Sequence, residues 1–209
     1  MTAAGQNHYY WLTSLLAVRG LQTRTCRVIA ALNAVLGMVP AVLMLSPAGP
    51  HGPVRQAIAV IIGVFALGVG AVWLRHSWPS QRFSAISVTL GAIPMSAACL
   101  IMTDPVLGLL ATSAFIFSSG YVAFLHRPSV LAGPWLLGGL TLGYLGVRVG
   151  VADPALAACA VLIIALLNVL EFFTCRVAIG LSSTDIHHSE IEPLTGLLNT
   201  DGLYSRAAN

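Results

Sequence analysis

Long apolar runs alternate with short polar breaks along most of this chain. The runs occupy roughly residues 26–46, 55–75, 83–102, 106–126, 129–149 and 154–175. Each holds about 20 residues, and at about 1.5 Å rise per residue a helix of that length crosses a hydrocarbon core of about 30 Å. The breaks carry turn chemistry: "SPAGPHGP", "RHSWPSQR", "TDP", "HRPS" and "VADP". The pattern predicts an all-α polytopic membrane protein with six transmembrane helices. A loosely amphipathic stretch, residues 8–24, precedes them. Its Tyr9, Tyr10, Trp11, Leu12, Leu15, Leu16 and Leu21 are apolar, and its Thr13, Arg19, Gln22 and Arg24 are not. Such a helix either lies in the membrane interface or packs as a cytoplasmic helix on the bundle.

Composition removes the soluble alternative. Of 209 residues, 57% are hydrophobic and 8% charged, with a mean hydropathy of +0.86. Soluble domains carry about 25% charged residues. The net charge of +3 comes from arginine alone, and ten dispersed arginines form no nucleic-acid-binding patch. They orient the bundle instead. With the N-terminus inside, Arg19, Arg24, Arg27, Arg75, Arg82, Arg127, Arg176 and Arg206 are cytoplasmic, and only Arg55 and Arg148 fall outside. This bias predicts a multi-pass membrane protein with both termini in the cytoplasm. The start shows no basic region and cleavage site of the kind that marks a signal peptide. The outer turns are short, so any input must be read within the bilayer or at its surface.

Cys26, Cys99, Cys159 and Cys175 lie in or beside apolar runs and form no Cys-x-x-Cys pair, so they read as small buried hydrophobes. The histidines form no metal-ligand pattern, and His76 and His126 fall in inner loops. No cofactor or metal is expected in this chain. The candidate intramembrane polar residues are Asn33 in the first span and Asn168 and Glu171 in the sixth. Asn168 and Glu171 are three apart and share a helix face. Asn33 suits a helix–helix hydrogen bond. Glu171 reads either as an interfacial carboxylate that reaches water or an arginine such as Arg176, or as a ligand- or proton-responsive group. In span five, Gly139, Gly143, Gly146 and Gly150 line one face and predict close helix packing, within the chain or across a homodimer. Pro40, Pro94 and Pro134 interrupt spans one, three and five.

The tail differs from everything before it. Glu192 precedes Pro193 and is biased away from helix, Thr195-Gly196 makes a turn, and Asn199 is a good N-cap. A helical stalk therefore hands over through a hinge to a new helix. Phe172, Ile179 and Ile186 repeat every seven residues before it, as in a marginal coiled-coil seam.

This stretch resembles the opening of the GGDEF domain of diguanylate cyclases, which begins Asp-x-Leu-Thr-Gly-Leu-x-Asn-Arg-Arg after a signalling helix. Leu194, Thr195, Gly196, Leu197 and Asn199 match, Pro193 is common at its place, and Glu192 stands for the aspartate. Thr200 and Asp201 replace the two arginines that join polar contacts at the stalk–domain junction. The N-terminal "YYWLTSLLAVRGLQ" resembles the start of membrane-bound actinobacterial GGDEF proteins. The resemblance implies four parts: residues 1–25, an amphipathic segment; 26–175, the transmembrane module; 176–191, a signalling helix; and 192–209, the truncated start of a GGDEF-like domain. It further implies a membrane sensory or anchoring module. The Gly-Gly-(Asp/Glu)-Glu-Phe loop and the acidic metal ligands are not in these residues, so no catalytic residue carries over. Magnesium and GTP belong to a full-length relative. The expected partners are the lipid bilayer and a second copy of the chain, with no nucleic acid. A small transporter subunit or scaffold is the alternative reading.

Overall fold

The computed structural model describes residues 3–75 and 78–188. His76, Arg206 and the tail residues Glu192, Leu194, Thr195, Gly196, Leu197 and Asn199 lie outside the described residues. Among those described, the secondary structure is all helical: α1 Ala3–Val18, α2 Gln22–Val42 with a 3-10 turn at Leu43–Leu45, α3 Pro53–Trp73, α4 Gln81–Leu100, α5 Pro105–Ala111, α6 Phe115–Leu125, α7 Ala132–Gly150 and α8 Pro154–His188. Six helical segments are long and apolar enough to cross a membrane: Gln22–Leu45, Pro53–Trp73, Gln81–Leu100, Pro105–Leu125, Pro128–Gly150 and Pro154–Leu181. The chain is a multi-pass membrane protein. Long apolar side chains cover its outside, among them Val35, Ile61, Leu136, Val147, Leu162 and Leu166, as a surface facing lipid requires.

The fourth span is not one helix. α5 gives way to α6 through a 3-10 turn at Thr112–Ala114, where the Thr112 hydroxyl donates to the Leu109 carbonyl at 2.5 Å. Prolines act differently at their three sites. Pro40 and Pro94 stay inside α2 and α4. Each lacks an N–H, so the carbonyls of Leu36 and Leu90 lose their helical donors. Pro134 falls in the first turn of α7, where no such bond is lost.

Small residues draw α2 and α3 into the most extensive helix pair of the bundle. A Cβ at Gly37 would overlap Ala66, and one at Gly70 would come within 3.1 Å of the Ala30 carbonyl oxygen. The two contacts run antiparallel along the pair, one near its middle and one toward the α1 end. In a solvent as apolar as the side chains, such close approach supplies the packing that holds helices together. On the other side, α8 packs on α6 and α7, and α7 packs on α4 and α5.

The short turns are clipped from both sides. At the end away from α1, the Thr103 and Asp104 amides donate to the carbonyls of Gly49 and Ala48, each at 3.2 Å. Asp104 caps α5 through Val106 N–H at 2.8 Å, and Asp153 caps α8 through Leu156 N–H at 2.9 Å. Both acids of the short turns are thereby helix caps.

The amphipathic segment ends earlier than its residue pattern implies. α1 stops at Val18, and Gly20 takes a left-handed φ of +64°. The Gly20 amide donates to Ala17 and the Leu21 amide to Leu16, the paired bonds of a Schellman turn in which glycine bears no Cβ penalty. α1 then docks on the bundle: Tyr9 and Leu12 are buried with Leu125, against Leu16, Trp78 and Tyr121. The Tyr9 hydroxyl donates to the Pro79 carbonyl at 2.8 Å and accepts from Trp78 Nε1 at 2.7 Å. Burial pushes the Tyr9 phenol above its ordinary pKa, so it keeps the proton these bonds need. His126, read from the sequence as an inner-loop residue, is 3% exposed. It stacks on Tyr9 with ring centroids 5.5 Å apart and meets Ser84 Oγ through Nε2 at 2.7 Å.

Tyr9→Phe removes the shared partner of Trp78 and Pro79 and should destabilise the protein by about 1–3 kcal/mol, whereas Tyr10→Phe on the exposed side of α1 should change little. Denaturant unfolding of the two purified variants checks the difference; equal stabilities would contradict the docking of α1.

Candidate functional site: an intramembrane chamber and its carboxylate

The α2–α3 pair and the α4–α8 group do not close on each other along their whole length. Two contiguous chambers lie between them, of about 540 Å³ and about 780 Å³. Asn33, Gly91, Met95, Ile116 and Phe117 line both. The first chamber extends toward Leu43 and Met102, the second toward Thr25 and Cys175. From Thr25 to Leu43 along α2 is about 27 Å at the α-helical rise, close to the whole hydrocarbon thickness of about 30 Å. Glycine and proline make the space: Gly37, Pro40, Gly91 and Pro94 all line the first chamber.

The polar residues predicted on α8 both meet α6. Asn168 accepts from Ser119 Oγ at 3.3 Å and donates to the Ile164 carbonyl at 3.0 Å. Ser119 also accepts from Trp135 Nε1 at 3.0 Å, so three helices share one hydroxyl. One turn further along, Glu171 packs against the bare backbone of Gly120: a Cβ at Gly120 would stand 2.9 Å from Glu171 Oε1. The Cys175 thiol donates to the same oxygen at 3.2 Å. Arg176 donates to the Ala123 carbonyl at 3.5 Å. The carboxylate is thus held by α6 and by its own helix, and the arginine named as its candidate partner turns to α6 instead. Glu171 lines the larger chamber. Asn33 lies on the facing helix, donating to its own Ile29 carbonyl at 2.9 Å rather than to another helix. The structure thus brings Asn168 and Glu171 together on the α6 seam, with Glu171 lining the larger chamber and Asn33 on a helix across it.

The glycine stripe of span five divides. Gly146 packs on Val161 of α8, where an added Cβ would come within 2.7 Å, and Gly150 meets Ala157 at 3.6 Å. Gly139 and Gly143 face outward with nothing within 4 Å of an added Cβ. The reason is rotation along the helix: α7 turns its later glycines toward α8 while its earlier ones follow Leu136 and Leu140 to the lipid side. Gly138, absent from the predicted stripe, is the packed residue there, with Phe115 2.9 Å from its Cβ position. Phe172 of the heptad seam is engaged within the chain, against Trp135 at 5.8 Å, and the side chain of Ile186 lies outside the described residues. Cys26 and Cys99 are buried, while Cys159 is exposed and Cys175 half-buried; the expectation of small buried hydrophobes holds for the first two. Among the described residues no three His, Cys, Asp or Glu side chains cluster as a metal site would need.

Three residues that matter here carry little signal in the sequence. Gly120 and Ser119 are ordinary small residues in an apolar run, and Gly37 differs in no local way from Gly68, which packs on nothing. Only the meeting of Asn168 and Glu171 on one face pointed to the α6 seam. Compared with known proteins, the chain matches no family model, no curated sequence and no solved structure.

Gly146→Leu and Gly138→Leu should each cost folded protein, since overpacking a close contact costs about 1–3 kcal/mol, and Gly143→Leu should leave the monomer intact. The yield of monodisperse protein from membranes checks this ordering, which fails if Gly143→Leu is lost while Gly146→Leu survives.

Proposed function

We propose that this chain is the membrane sensory and anchoring module of a GGDEF-type signalling protein of the bacterial cytoplasmic membrane, with both termini in the cytoplasm. The carrying observation is the path of α8. It forms the last span to Leu181 and continues as the same helix to His188, just before the Glu192–Asn199 stretch that resembles the start of a GGDEF domain. A helix unbroken from the membrane to a cytoplasmic domain moves as a rod, so a displacement at Glu171 is carried to its end. The arginines support the orientation: seven of those described fall at the α1 end of the bundle and Arg55 and Arg148 at the other. A homodimer fits this reading, because two cyclase domains must meet face to face, with magnesium and GTP bound only in the catalytic domain.

Joining a complete GGDEF catalytic domain after Asn209 tests the proposal. Cells carrying the chimera should accumulate cyclic di-GMP, which requires a cytoplasmic C-terminus because GTP is there. Val177→Pro, which breaks the α8 rod, should change output about fivefold or more, the usual scale of coupling between sites, at unchanged membrane abundance. Output identical to that of the catalytic domain on an unrelated single-span anchor, with or without Val177→Pro, would refute the proposal.

A further inference from the structure

We infer that the intramembrane chambers bind a single-chain amphiphile whose head group donates hydrogen bonds, a hydroxyl or a primary ammonium, with the head at Glu171 and the tail running toward Met102. This inference stands on the chamber alone and does not need the cyclase reading.

Four observations carry it. The space lies among membrane-spanning helices, with Leu16 of α1 joining its lining at one end, so its occupant arrives through the lipid phase. Its combined length along α2, about 27 Å, suits an extended chain rather than a compact ring system, and each volume falls in the range of about 300–1,000 Å³ typical of ligand sites. Its walls are graded. The part toward Met102 is lined by Leu36, Val39, Ile62 and Phe65, while Thr25, Ser87, Glu171 and Cys175 gather in the other part. Finally, the polar end offers acceptors. The Thr25 hydroxyl donates to the Leu21 carbonyl, the Ser87 hydroxyl to the Ser84 carbonyl and the Cys175 thiol to Glu171 Oε1. Asn33 uses its amide nitrogen on Ile29, which leaves Oδ1 for the chamber. Glu171 has its second oxygen, which the Cys175 thiol leaves free of its bond. A head group that brings donors pairs with these acceptors. A quinone, which brings only carbonyl oxygens, does not.

Photolabelling tests this directly. The purified full chain is placed in nanodiscs of phosphatidylcholine, whose head group has no hydrogen-bond donor. Hexadecanol and hexadecylamine, each carrying a diazirine near the tail end, are the probes, and labelled peptides are mapped by mass spectrometry. At least one probe should label α2 and α4 near Val39 and Met95 saturably, and an excess of the unlabelled compound should compete. Gly91→Phe, which fills open space at the junction of the chambers, should abolish that labelling while the protein stays monodisperse. Glu171→Gln separates the two head groups. It keeps an acceptor and should spare hexadecanol, but it removes the charge and should weaken hexadecylamine about tenfold. Glu171→Leu should weaken both. Labelling that does not saturate, spreads equally over the Leu136–Leu140 face of α7, or ignores Gly91→Phe would mean that bulk lipid alone fills the space, and would overturn the inference.

Discussion

A carboxylate within a membrane span must be paid for by its surroundings, and in this bundle the payment is the absence of a side chain at Gly120. Taking a charged group out of water costs several kcal/mol unless polar partners or water remain in reach. Glu171 takes the Cys175 thiol and faces the larger chamber, and the missing side chain at Gly120 gives its carboxyl the room to lie against α6. The same seam holds Ser119 to Asn168 and Arg176 to the Ala123 carbonyl. Each contact is weak alone, since side-chain hydrogen bonds between membrane helices average about 0.6 kcal/mol. Spaced a turn apart, they fix the rotation of α8 against α6. That rotation decides which side chains α8 shows to lipid, which to the chamber, and in what direction its far end leaves the membrane.

The rest of the bundle divides around that seam. α2 and α3 approach through Gly37, Ala66, Gly70 and Ala30 until their backbones nearly touch. α4 to α8 form a second packed group, and the chamber is what the two groups leave between them. Its lining contains the residues that make helices irregular. Pro40 and Pro94 remove backbone donors, and Gly37 and Gly91 remove bulk. Close packing in one place and open space in the next thus come from the same small residues, used on different faces. α1 closes the end of the bundle through the Tyr9, Trp78, Ser84 and His126 contacts, so a segment that could have floated on the membrane surface is tied to the loops joining the spans.

Hydropathy made the spans legible, because a run of about 20 apolar residues has few other uses. It could not show that the fourth span breaks at Thr112, since a 3-10 turn changes no composition. The arginine pattern and the pairing of Asn168 with Glu171 on one face were equally readable. The glycines were not: periodicity placed Gly139, Gly143, Gly146 and Gly150 on one stripe, but only neighbouring helices decide which of them packs. Long-range partners were out of reach for the same reason. Nothing near His126 in the chain announces Ser84 or Tyr9, and nothing near Glu171 announces Gly120. The Cys175 thiol, four residues on, was the one partner of Glu171 that helix spacing already placed within reach.

The contact between Gly120 and Glu171 is the claim on which the seam, the chamber wall and the path of α8 all rest. Cysteines at the two positions measure it most directly, in a chain whose four natural cysteines are replaced. A Cβ at position 120 lies about 3.6 Å from the Glu171 Cγ, the position a cysteine sulfur at 171 would take, so Gly120→Cys with Glu171→Cys brings the two thiols into reach and should form an intramolecular disulfide under mild oxidation. Gly139→Cys with Glu171→Cys, which sets one thiol on the lipid face of α7, should form none. Equal crosslinking of the two pairs, or none in the first, would contradict the account.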